Sequence, residues 1–144
     1  MFFSFFSSKN QKLVKQWSKE HKQIVKIATN IITAYSNNKL TTAKKELKEL
    51  RMVTLNHLMT EDIEFSRMEK DTKNLDKDTV KFITEFKHSF YDTKSVLRHF
   101  LKNYAHDDTV LDDKFFEVFN GLVAVLAKRI EFEENNLYSK LDTK

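Results

Sequence analysis

The chain is 144 residues long, with no cysteine, no proline, one glycine and 32% charged residues, 25 Lys+Arg against 21 Asp+Glu for a formal net charge of +4. Without cysteine there are no disulfides, thiolate metal sites, iron–sulfur ligands or cysteine nucleophiles, so any metal ion must be held by His, Asp and Glu. The turn-poor, Lys- and Glu-rich composition excludes a β-rich fold and predicts an all-α protein, while positive charge scattered among acidic residues argues against a nucleic-acid partner.

One domain is expected over residues 1–144, long enough to bury a core without staples. It opens on a short aromatic segment, residues 1–8, with Phe2, Phe3, Phe5 and Phe6. This segment lacks a charged n-region and is far shorter than a signal peptide or a transmembrane span, so a cytoplasmic protein is expected. Its phenylalanines either fold back as a cap or stay exposed for a partner or a membrane surface.

The first helix runs from about Lys9 to Ser36, with Leu13, Trp17, His21, Ile24, Ala28, Ile31 and Tyr35 on one stripe. Asn37 and Asn38 break it, and Thr41 or Thr42 offers the N-cap of a second helix reaching about Lys70. At about 100° per residue, Leu47, Leu50, Val53, Leu58, Phe65 and Met68 share the inward face of that helix, and His57 and Glu61 fall among them. A third helix, capped by Asp76 or Asp78, carries Phe82, Ile83, Phe86, Phe90, Leu97, Leu101 and Tyr104 inward. His88 and His99 face water. Asp112 or Asp113 begins a fourth helix that runs to about Leu141 and buries Phe115, Phe119, Leu122, Leu126, Ile130, Glu133 and Leu137, with Gly121 on the opposite face. Four long helices joined by short polar turns predict an up-down-up-down antiparallel bundle.

In that arrangement His21, His57, Glu61, Arg129 and Glu133 all fall toward one end. The pattern predicts a buried cluster of His21, His57, Glu61 and Glu133, with Glu64 and Arg129 at its margin. Buried imidazoles and carboxylates need a metal ion, a counter-charge or one another to be satisfied.

His21, His57-x-x-x-Glu61 and the EENNLY run of residues 133–138 resemble the hemerythrin-like, HHE cation-binding domains over nearly the whole chain. The resemblance implies a four-helix bundle whose inward histidines and carboxylates hold a non-haem di-iron centre that binds or senses dioxygen or a similar small ligand. It assigns His21, His57, Glu61 and Glu133 as ligands and iron as the metal. Two departures stand out. The family's second His-x-x-x-Glu would place a histidine where Arg129 stands, and its helix-three histidine falls where this chain has inward phenylalanines. A mononuclear or weakened centre fits what remains, and the number of ions stays open.

A second likeness competes. KLVKQW at residues 12–17 and Arg129-x-x-Phe132-Glu133-Glu134 are similar to the bacterial regulator-of-sigma-factor family in the first and fourth helices. It implies a metal-free helical regulatory module that binds a protein partner, with Arg129 paired to Glu61 or Glu133. No nucleophile, phosphate loop or paired catalytic acids in a cleft can be found, and the expected protein is not an enzyme.

Overall fold

The computed structural model describes residues 9–71 and 73–141, so Phe2, Phe3, Phe5 and Phe6 lie outside the described residues. Its elements are α1 (Lys9–Ser36), α2 (Leu40–Glu69), α3 (Lys77–Ser89), α4 (Tyr91–Ala105), α5 (Asp113–Phe132), a π turn over Glu133–Leu137, and α6 (Tyr138–Leu141). Among the described residues the chain is helix and turn, with no strand. No helix there is long and apolar enough to cross a membrane.

The first connection is set by Asn38, which takes a left-handed backbone at φ 59°. Asn tolerates that region better than most side chains. The Lys39 amide then bonds Ala34 O at 2.8 Å and the Asn38 amide bonds Tyr35 O at 2.9 Å, closing α1 in a Schellman turn. This consumes the residues before Leu40 and places Lys39, not Thr41 or Thr42, at the N-cap of α2, without a side-chain cap bond. α3 and α5 are capped by aspartates. Asp76 Oδ1 accepts from the Thr79 amide at 2.7 Å and Asp112 Oδ1 from the Phe115 amide at 2.9 Å.

The third predicted helix is two, interrupted at Phe90. The cause lies at the Phe86 carbonyl, which accepts from Ser89 Oγ at 2.7 Å and from Arg129 Nη1 at 3.3 Å. With that acceptor diverted, the Phe90 amide turns to Lys87 O at 3.4 Å, a tighter turn than the α-helix allows. The fourth predicted helix likewise contains the π turn, where the Tyr138 amide bonds Glu133 O five residues back.

α1 and α2 share the largest helix–helix interface; α3 and α4 pack on α2, while α5 and α6 return to α1. The core falls into two apolar bodies. One gathers Ile24, Ile31, Leu47, Leu101 and Phe115, and the other gathers Trp17, Phe65, Met68, Ile83, Leu137 and Leu141. The second is tied by an edge-to-face contact of Trp17 on Phe65, centroids 5.4 Å apart. In sequence His21 lies between Trp17 and Ile24, and Glu61 between Leu58 and Phe65, so the polar residues sit where the two bodies meet. Leu122, Leu126 and Ile130 are half-buried rather than buried, because the inner face of α5 borders a cavity there.

Candidate metal centre

α1, α2 and the π turn each bring one part of the site. His21, His57, Glu61 and Glu133 are all buried, and one ligand atom from each falls within 4.8 Å of the others. His21 Nε2 lies 3.2 Å from His57 Nε2 and 3.3 Å from Glu133 Oε1. His57 Nε2 lies 3.3 Å from Glu61 Oε2, an ion-pair distance, yet that oxygen is buried without a hydrogen bond.

The outer nitrogens are also held. His21 Nδ1 is 2.9 Å from Glu134 Oε2 and His57 Nδ1 is 2.6 Å from Glu20 Oε1. Carboxylates accept, so each imidazole donates its Nδ1–H outward and turns its Nε2 lone pair inward, the arrangement by which proteins orient histidine ligands. Two lone pairs then face each other across 3.2 Å. That contact is repulsive unless a cation or a proton stands between them.

The titrations follow from this crowding. Burial alone would lower the His21 pKa, but hydrogen bonds and charge from Glu133, with Glu134 behind it, raise it, against the opposing charge of His57. Burial and then the charge of Glu133 push Glu61 well above the ordinary carboxylate range. Burial works against Glu133 too, yet the hydrogen bonds of Glu61 and His21 and the charges of His21 and Arg129 bring it down to about 2. The two carboxylates thus divide one proton, with Glu133 keeping the charge.

Arg129 stands at the edge as expected, its Nε 3.3 Å from Glu133 Oε2. Its guanidinium also bonds Ser89 Oγ at 3.2 Å and lies over the Phe86 and Phe90 rings, 3.4 and 4.1 Å from their centroids. Glu64 is not part of the margin. It bonds Arg67 Nε at 2.7 Å and lies 3.7 Å from Lys9 Nζ. His88 and His99 are exposed, as the periodicity predicts.

Sequence reasoning missed Glu20 and gave Glu134 and Tyr138, though part of the EENNLY run, no role at the site. The first two sit one residue off the inward stripe, next to His21 and Glu133, and act through the outer nitrogens of rings whose orientation periodicity does not specify. Tyr138 Oη donates to Glu133 Oε1 at 2.9 Å. In a regular α-helix five residues rotate by about 140°, whereas a π turn brings residue i+5 back over residue i.

The fold and the site together define a helical protein with a buried histidine–carboxylate cluster of the kind that holds a cation. Residues 12–141 match the model of the hemerythrin HHE cation binding domain. The chain belongs to that family. No curated protein and no solved structure matches it significantly.

Proposed function

We propose that the chain holds one non-haem iron ion through His21 Nε2, His57 Nε2 and the carboxylates of Glu61 and Glu133, and offers it to dioxygen or a similar small ligand as a binding or sensing protein rather than an enzyme. The scaffold in this reading is the up-down-up-down bundle, with α3 and α4 forming one interrupted helix and α5, the π turn and α6 another. The observation that carries the reading is the pair of inward Nε2 atoms, each fixed by a carboxylate on its outer nitrogen. Donors bound at right angles to one ion at about 2.1 Å lie about 3.0 Å apart. The separations here, 3.2 Å between the imidazoles and 3.3 Å from each to its carboxylate, are of that size.

Imidazole with carboxylate suits iron, and this donor set offers no thiolate to favour softer competitors. The ion would supply the site for a small ligand, while the chain excludes bulk water and sets access. Ile24, Thr54, Leu97, Leu126 and Ile130 line both the space beside the cluster, about 30 Å³, and an adjoining apolar cavity of about 80 Å³. A small uncharged molecule enters such a cavity without the desolvation cost a charged one meets. Arg129 and the phenylalanines of α3 favour one ion over two, because a fixed cation beside Glu133 competes for the carboxylate a second ion would need.

Elemental analysis of protein grown with iron, beside His57→Ala, tests the reading. About one iron per chain in the wild type, lost in the variant, is expected. Wild type that is purified metal-free and fails to bind added ferrous iron refutes it. An absorption band that responds to dioxygen separates a carrier or sensor from a structural ion.

A further inference from the structure

The hydroxyl of Tyr138 reaches two of the four residues above. Its oxygen lies 3.4 Å from His21 Nε2, the inward nitrogen, as well as 2.9 Å from Glu133 Oε1. Both distances fall near the spacing of neighbouring donors around one ion. The ring cannot easily swing away. It stacks on His21 at 8° with centroids 5.8 Å apart and on Trp17 at 29° with centroids 6.0 Å apart, and only 4% of the residue is exposed. The π turn sets this placement, since the Tyr138 amide bonds Glu133 O and so holds the two side chains on one side of the helix.

Resting on the iron reading above, we propose that Tyr138 is a further protein ligand at this centre, binding the ferric ion through its phenolate oxygen. A phenolate is a hard anionic donor, which matches ferric iron better than ferrous iron or zinc. Ligation breaks the phenolic O–H heterolytically and forms the oxygen–iron bond. The proton is released to water, as in any metal-for-proton exchange; no electron moves and the ion stays ferric. The centre therefore prefers its oxidised state, and a hydroxyl that merely supported Glu133 would have no such effect.

The test is the visible spectrum of the full chain loaded with ferric iron. Wild type is expected to show a phenolate-to-iron charge-transfer band whose resonance Raman spectrum contains tyrosine ring modes. Tyr138→Phe should still take up iron, lose the band, and bind ferric iron at least about tenfold more weakly with a smaller change for zinc. The chain has four tyrosines, so the triple variant Tyr35→Phe, Tyr91→Phe, Tyr104→Phe isolates Tyr138 and should keep the band even if Tyr138→Phe does not fold. Iron bound without a phenolate band, or a band lost in the triple variant or kept in Tyr138→Phe, overturns the Tyr138 assignment and leaves the iron reading standing. Wild type that takes up no iron overturns both.

Discussion

Replacing Arg129 with alanine should unsettle the metal-free protein about as much as truncating a large apolar side chain of the core. The guanidinium is 12% exposed and Glu133 3%. It also makes two hydrogen bonds across to the end of α3 and covers two phenylalanine rings. Its removal takes from the buried Glu133 charge its fixed cation and leaves it to His21 and Tyr138, a broken buried pair that costs about 3–5 kcal/mol. For a chain of this length that lowers the melting temperature by about 10 °C or more. Melts followed by circular dichroism, with chelator and with ferrous iron, give the comparison. A bound divalent cation takes over the neutralisation of Glu133, so iron should recover much of the loss, and Arg129→His should gain stability from iron by adding an imidazole. An Arg129→Ala variant that melts within about 2 °C of wild type in chelator would refute the reasoning. Iron-independent collapse of both variants would instead favour a metal-free regulatory module held by the Arg129–Glu133 pair.

Lys44 Nζ donates to the carbonyls of Tyr104, His106 and Thr109 at 2.7, 2.6 and 2.5 Å, tying α2 to the end of α4; Lys44→Met should cost about 1.5–3 kcal/mol in urea unfolding, and an unchanged midpoint would show the cage to be idle. Asp112→Ala removes the N-cap of α5 and should cost about 1 kcal/mol, with Asp112→Asn retaining most of it. The hydrogen bonds of Lys87 and Thr84 hold Glu69 below its ordinary value of 4.5. A depressed carboxylate contributes stability that is complete above the unfolded pKa and lost as pH falls through the folded one. Glu69→Gln should therefore destabilise at pH 7, with the gap to wild type closing only as pH falls below 4.5 and through the depressed folded pKa, and a gap that stays constant through that fall would count against the pair.

Helical class, the inward stripes and the depth of the polar residues were legible from the sequence because helix periodicity relates side chains on one element to a common face. His21, His57, Glu61 and Glu133 each interrupt an apolar stripe, and a polar residue in such a stripe is visible without knowing its neighbours. The contacts between helices were not legible. The break at Phe90 depends on Ser89 and on Arg129, forty residues away in sequence, competing for one carbonyl. Thr41 and Thr42 read as caps only until Asn38 adopts a left-handed backbone and starts α2 early. Glu20 and Glu134 flank the stripe, and only the packed rings show that they meet the outer nitrogens of His57 and His21. Tyr138 enters the site through a change of helical pitch, to which a fixed rotation of 100° per residue is blind. Periodicity thus set which residues turn inward, whereas tertiary packing decided which atoms meet, because hydrogen-bond competition and ring orientation are settled between elements rather than along them.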